Sequence, residues 1–248
     1  MKHSITIILI FLLLNACSYL PDDTLKNSDL VNRMYETAES IVVKHPSQTP
    51  DKTFLFYPGG LVDPHVYLKW QDSLVSANTG LQIITVKMPS NLAVLDARKG
   101  LKIINQYPDI DVWITGGHSL GGTMAAELIA SDPTKFKALI LIASYPASDK
   151  LKSWDGAVLS ISAEKDGLTT RDDIQNNKIN LPVAYTMNNS LDFQTPLQGK
   201  THYFEITGGN HAGFGNYGLQ DGDGTAGIAS SVQQSELIQV ISNFISKL

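Results

Sequence analysis

The sequence predicts an α/β domain: a mostly parallel central sheet with helices on both faces. Short β-rich apolar runs alternate with amphipathic segments of helical period from about residue 52 onward. Several of those runs are apolar at consecutive positions, as a strand covered on both faces reads. The chain has 248 residues, 43% hydrophobic and 17% charged, which suits one large core.

The strand candidates, in order, are Phe54-Leu55-Phe56-Tyr57, Leu81 to Val86, Val112-Trp113-Ile114-Thr115, Ala138 to Ala143, Val158 to Ser162 and Tyr203 to Ile206. Between the first two, Asp63-Pro64 supplies an N-cap and a proline at the first helical position, opening a helix to about Ala77. Residues 93–106 are predicted as a second helix and 120–131 as a third. At the end, Leu237, Ile238, Ile241, Phe244, Ile245 and Leu248 recur at helical spacing and should dock on the sheet. Residues 27–51 are predicted as a short helix and one antiparallel strand. No internal repeat, low-complexity tract or second-domain boundary is present.

Directly after the Val112 strand comes Gly117-His118-Ser119-Leu120-Gly121, which runs into the predicted third helix. This is G-x-S-x-G between a strand and a helix, the setting of a nucleophile elbow. A turn sharp enough to lift a serine hydroxyl above the sheet leaves no room for side chains two positions either side. The elbow also puts Ser119 at a helix N-terminus, where free N–H groups stabilise developing negative charge.

A serine hydroxyl needs a positioned base, itself oriented by a carboxylate. Asp166 lies in the loop after the Val158 strand and His211 in the loop after the last strand, giving the order Ser, acid, His. All three then stand at the carboxyl ends of strands, where open α/β sheets assemble their sites. Glu164 is the rival acid, and Asp166 is preferred because it sits farther into the loop. Among the other histidines, His118 is expected to point away from the elbow and His202 to lie on the wrong edge; His45 and His65 read as surface or packing residues. Asp221 and Asp223 form half of a calcium loop without its closing glutamate, and read as turn-forming or helix-capping residues. For the oxyanion, the N–H of Leu120 is one donor. Tyr57-Pro58-Gly59-Gly60-Leu61, a tight turn after the first clear strand, offers Gly60 or Leu61 as the second.

With these residues the chain resembles the α/β-hydrolase superfamily over about residues 52–248, and most closely a bacterial subgroup related to dienelactone-hydrolase-like enzymes. The similar segments are Tyr57 to Pro64, Met88-Pro89-Ser90-Asn91-Leu92-Ala93 and Gly208 to Gly218. The resemblance implies a Ser119-Asp166-His211 hydrolase working without a cofactor or metal. It departs from dienelactone hydrolases proper, whose nucleophile is cysteine. Only residues 144–156 occupy the interval where many relatives insert a helical cap, so the fold is expected without a large cap domain and the site open to small or short-acyl esters. Tyr145, Phe214 and Tyr217 are the aromatic candidates for substrate contact, the last two having the alternative of pinning their loop to the core. Eight of the nineteen glycines lie between Gly208 and Gly227, so His211 is expected on an irregular loop.

Composition narrows the function further. A net charge of -5 gives no cationic surface for nucleic acid, and a single cysteine excludes intramolecular disulfides and cysteine-rich metal modules. At the N-terminus, Lys2 and His3 precede an apolar run from Ile5 to Leu14, too short to span a bilayer. Leu14-Asn15-Ala16-Cys17 resembles a bacterial lipobox, against the alternative of an ordinary signal peptide with an incidental cysteine. The expected organisation is therefore a signal peptide over 1–16, lipidation at Cys17, a tether over 17–26 and the α/β domain over 27–248. Ser18 after the cysteine favours the outer membrane of a cell envelope, facing the periplasm. The expected activity is a serine carboxylesterase on a small-molecule ester; thioesterase or acyltransferase action uses the same machinery, and a non-catalytic envelope protein binding a ligand in the same pocket is the alternative class.

Overall fold

The computed structural model describes residues 18–22, 30–186, 191, 193 and 195–248; the segment read as a signal peptide and Cys17 lie outside them. In chain order the elements are β1 (Arg33–Glu36), β2 (Ser40–Lys44), β3 (Lys52–Tyr57), α1 (Leu68–Ala77), β4 (Leu81–Val86), α2 (Lys99–Ile104), β5 (Val112–His118), α3 (Leu120–Ser131), β6 (Ala138–Ile142), β7 (Ala157–Ala163), α4 (Arg171–Asn177), β8 (Ala184–Thr186), β9 (Thr201–Ile206) and α5 (Ser230–Ile245). The strands form one sheet in the order β1-β2-β4-β3-β5-β6-β7-β9-β8. β1 and β2 pair antiparallel, β2 meets β4 antiparallel, and every later pairing is parallel. This is the α/β-hydrolase fold.

Strand pleating sends alternate residues to two separate cores. Phe54 and Phe56 of β3 face α1 and α5, where they join Trp70, Leu74, Leu237 and Phe244. Leu55 and Tyr57 face α2 and α3, joining Ile103, Leu128 and Ile129. Each such large apolar side chain contributes roughly 1.5–3 kcal/mol on burial, and both faces of the sheet are thereby fixed. The carboxyl ends of β3, β5, β6, β7 and β9 emerge together on one edge.

Three predicted elements are corrected. Residues 30–51 hold two antiparallel strands and, among the described residues, no helix. The helix expected over 93–106 shrinks to α2, preceded by a single 3-10 turn at Ala93–Leu95. The buried Tyr57 hydroxyl explains the break: it donates to the Ala97 carbonyl at 2.8 Å and accepts from the Gly100 N–H at 3.0 Å, taking backbone groups a helix would use. The helix from Asp63 begins as a 3-10 turn, Pro64–Tyr67, capped by the Asp63 side chain, before α1 takes over. α4 and the short edge strand β8 were not predicted, although Thr170 and Asp173 form a reciprocal capping box whose spacing is visible in the sequence. Residues 144–156 carry only a 3-10 turn at Asp149–Leu151 and no inserted cap.

Candidate active site

Ser119 links β5 to α3 with φ 52° and ψ −127°, in the strained region that a nucleophile elbow occupies. The glycines make that turn feasible. A Cβ on Gly117 or Gly121 would collide with the backbone carbonyl of Tyr57, and on Gly121 with that of Pro58 as well. The close approach that demands glycine thus sets the elbow directly against the loop after β3. The Ser119 N–H donates to the Ile142 carbonyl at 2.9 Å, and the Ser144 hydroxyl donates to the Ser119 carbonyl at 2.7 Å. Its own hydroxyl neither caps α3 nor, among the described residues, hydrogen-bonds to His211.

The structure brings His211 and Asp166 together in a buried pair. Nδ1 of His211 lies 2.9 Å from Oδ2 and 3.1 Å from Oδ1 of Asp166, with side-chain exposures of 1% and 0%. The Asp166 carboxylate also accepts the N–H groups of Leu168 at 2.8 Å and Thr169 at 2.7 Å. With those donors fixing the carboxylate, its remaining bond holds Nδ1 as the protonated nitrogen and leaves Nε2 as the basic one. The rival acid, Glu164, faces solvent beside Lys165 and accepts from the Gly208 N–H.

His118 corrects a sequence expectation. Rather than turning away, its ring lies 4.5 Å from that of His211 and 5.7 Å from Phe214. Its Nδ1 lies 3.0 Å from the Tyr67 hydroxyl, which also accepts the Gly59 N–H at 3.0 Å. Among the described residues that hydroxyl has no acceptor other than Nδ1, so its proton goes to a neutral His118. Burial, and secondly the proximity of His211, hold its pKa well below 6.5. The other rivals stay away from the pair: His202 contacts Phe193 and Phe244, His45 accepts from the Ser47 N–H, and His65 bonds Asp63 and Glu36.

The loop after β3 separates the two oxyanion candidates. The Leu61 N–H is spent on the Asn91 carbonyl at 2.8 Å, with Leu61 itself at φ 60°. Gly60 faces the Leu120 side chain closely enough that a Cβ there would lie 3.0 Å from Leu120 Cδ2. Leu120 opens α3, so its N–H has no partner within the helix.

The aromatic residues read as substrate contacts divide. Phe214 is buried at 1% exposure beneath His118, and its carbonyl accepts the Trp70 Nε1–H. Tyr217 is buried against Tyr19, ring centroids 5.4 Å apart. Both pin the loop to the core, the alternative left open in the sequence. Tyr145 is half-buried after β6, its carbonyl held by the Thr123 hydroxyl.

Asp223 does more than cap a turn. Its carboxylate accepts from Gly167 in the Asp166 loop at 3.1 Å, from His211 at 3.1 Å, from Ala212 at 2.8 Å and from Gly224 at 2.7 Å. Gln233 of α5 braces the same loop, accepting the Asn210 N–H and donating to its carbonyl. Only the turn-forming residue types around Asp223 signalled this in the sequence. No cluster of three His, Cys, Asp or Glu side chains among the described residues could hold a metal ion.

The alpha/beta hydrolase family pattern matches residues 53–235. No curated protein sequence matches the chain. Among solved structures, the esterase Pf2001 from Pyrococcus furiosus superposes with a TM-score of 0.61 at 10% identity, over 90% of this chain and 96% of that one. A predicted CIB-like hydrolase from Thermoplasma acidophilum gives 0.59 at 12% identity, over 88% and 98%. Alpha/beta hydrolase domain-containing protein 10 from mouse gives 0.54 at 14% identity, over 87% and 98%. At these identities the likeness is one of fold.

Proposed function

Since this chain belongs to the alpha/beta hydrolase family, we propose that it is a serine hydrolase of carboxylic esters, with Ser119 as nucleophile, His211 as general base and Asp166 as the residue orienting it. The observation that carries the reading is the strained elbow at Ser119 beside a buried His211–Asp166 pair. Nε2 of His211 takes the Ser119 proton as Oγ attacks the ester carbonyl, then returns it to the departing alkoxide, leaving an acyl-enzyme. Water activated by the same nitrogen releases the acid. The N–H groups of Leu120 and Gly60 stabilise the tetrahedral oxyanion; Gly60 is chosen because the Leu61 N–H is already bonded. The interval without a cap supports small or short-acyl esters, and the Gly208 to Gly218 block supports membership of the dienelactone-hydrolase-like subgroup. The lipobox-like segment ending at Cys17 supports a lipid-anchored location in a bacterial envelope.

The absent Ser119–His211 hydrogen bond is the specific observation on the side of a non-catalytic ligand pocket, although such bonds often tighten only with substrate bound. A fluorophosphonate probe decides between them. Peptide mass spectrometry should find the adduct on Ser119, and Ser119→Ala should abolish both labelling and p-nitrophenyl acetate hydrolysis while keeping its melting temperature. A folded protein that resists the probe, or a Ser119→Ala variant with undiminished turnover, overturns the enzymatic reading.

A further inference from the structure

Residues 18–22 are not free of the domain. Tyr19 forms a parallel bridge with Val62: its N–H donates to the Leu61 carbonyl at 2.8 Å, and its carbonyl accepts the Asp63 N–H at 2.9 Å. Three residues on, the Asp22 N–H donates to the Asn216 carbonyl at 2.9 Å. This strap joins the loop carrying Gly60 to the loop carrying His211. The strap therefore lies at the catalytic edge. Cys17 is two residues from Tyr19, at most about 7 Å of extended chain.

The same edge carries exposed aliphatic side chains. Of ten large hydrophobic residues exposed among the described residues, five lie on its loops or the strap: Leu20 at 62%, Val94, Leu95, Leu168 and Leu219 at 91%. Val94 and Leu95 follow Asn91, the partner of Leu61; Leu168 follows Asp166. Leu219 and Asp22 line one cavity of about 210 Å³. Single exposed aliphatics are ordinary on a globular protein; five on the loops and strap of one edge are the informative feature. Ile179 and Val183, equally exposed, precede β8 at the opposite edge.

We infer that the catalytic edge docks on the lipid surface to which the N-terminus is attached, so that the substrate is an ester reaching Ser119 from the lipid–water boundary. The inference rests on the proposed serine hydrolase and on membrane attachment at the N-terminus. The net charge of -5 gives no attraction to anionic headgroups, so contact falls to the aliphatic side chains and the anchor. A bilayer held at residue 17 lies within reach of Leu20 and Leu219, and the strap transmits that position to both catalytic loops.

The test uses the full chain, expressed in a bacterium and reconstituted in phosphatidylethanolamine–phosphatidylglycerol vesicles doped with brominated phosphatidylcholine. Leu219→Trp and, as the control, Ile179→Trp report proximity to lipid, since Trp70, Trp113 and Trp154 are all buried. With the emission of the unsubstituted protein subtracted, the added fluorescence of Leu219→Trp should fall at least twofold relative to unbrominated vesicles, while that of Ile179→Trp stays constant. Equal quenching at both positions, no quenching at either, or protein that does not float with the vesicles overturns the inference. So does a dimer that shields Leu219→Trp from bromine, which would assign the edge to a second copy. Fluorophosphonate labelling of the same samples reports separately: labelling without quenching removes the docking alone, whereas quenching without labelling removes the hydrolase.

Discussion

Replacing Tyr67 by phenylalanine isolates the hydrogen bonds that join the proposed oxyanion loop to the ring of His118. Tyr67 is fully buried, and its ring packs on Phe56 at 4.8 Å and on His118 at 5.9 Å, contacts that phenylalanine keeps. What disappears is one oxygen with two partners, the Gly59 N–H and Nδ1 of His118, each at 3.0 Å. Among the described residues neither has another hydrogen-bond partner, and a buried polar group left unsatisfied costs about 1–3 kcal/mol. Two such groups give a destabilisation of about 3 kcal/mol, allowing for partial relaxation. In a chain of this size that lowers the melting temperature by about 6–12 °C. Gly59 precedes the proposed donor Gly60, so kcat on p-nitrophenyl acetate should also fall, by about ten- to a hundredfold, short of the loss of a whole donor. KM should move less, because the loop is expected to act on the oxyanion that appears after binding. Differential scanning calorimetry and steady-state kinetics on the same preparation check both figures. A variant that melts within 2 °C of the parent with unchanged kcat would refute the reasoning, showing that the hydroxyl neither stabilises the core nor holds the donor loop.

Two further outcomes follow from side chains that bind loops together. Asp223→Ala should lower kcat by at least about tenfold and the melting temperature together, because the lost carboxylate serves N–H groups in both the Asp166 and His211 loops; wild-type kinetics would show that those loops hold position without it. At His65, the hydrogen bond to Asp63 first, and then that to Glu36, raise the imidazole pKa from 6.5. A raised folded-state pKa gives stability that is complete below the unfolded value and lost as pH rises through the folded one. The melting temperature should thus decline as pH is raised above 6.5, and His65→Gln should flatten that decline in a pH-dependent thermal melt.

The elbow was legible because its requirements are local. A strand, five residues with glycine at both ends and a helix are contiguous in the chain, and the collisions at Gly117 and Gly121 state the reason for the pattern. The buried runs of β3 to β7 were equally plain, since two-sided burial leaves an uninterrupted apolar string. What stayed hidden depends on distant partners. α2 is shortened by the hydroxyl of Tyr57, some forty residues upstream. β1 is largely exposed, with no buried face to give it a period, and β8 is too short to show one. The ring of His118 turns toward His211 because Tyr67 and Phe214 form its other neighbours, a fact of three separate loops.

The division between legible and hidden residues has a physical basis in how the loops are supported. The His211 loop has little regular structure, so few of its backbone N–H groups find ladder partners. They are taken instead by side chains: Asp223 accepts from His211 and Ala212, Asn210 from Gly213, and Gln233 from Asn210. Asp166 does the same for its own loop through Leu168 and Thr169 while holding the imidazole. Each carboxylate or amide therefore replaces hydrogen bonds that a helix or strand would have supplied. Glycine in this loop removes the side chains that would block such close approach: a Cβ on Gly209 or Gly213 would run into the Gln233 amide. The glycine-rich composition that reads as irregular in the sequence thus accompanies an ordered arrangement, because the loop's polar backbone is satisfied by side chains, Asn210 and Asp223 of the loop itself and Gln233 of α5. Order of that kind is what a proton relay requires, since a general base displaced by even about 1 Å loses much of its effect.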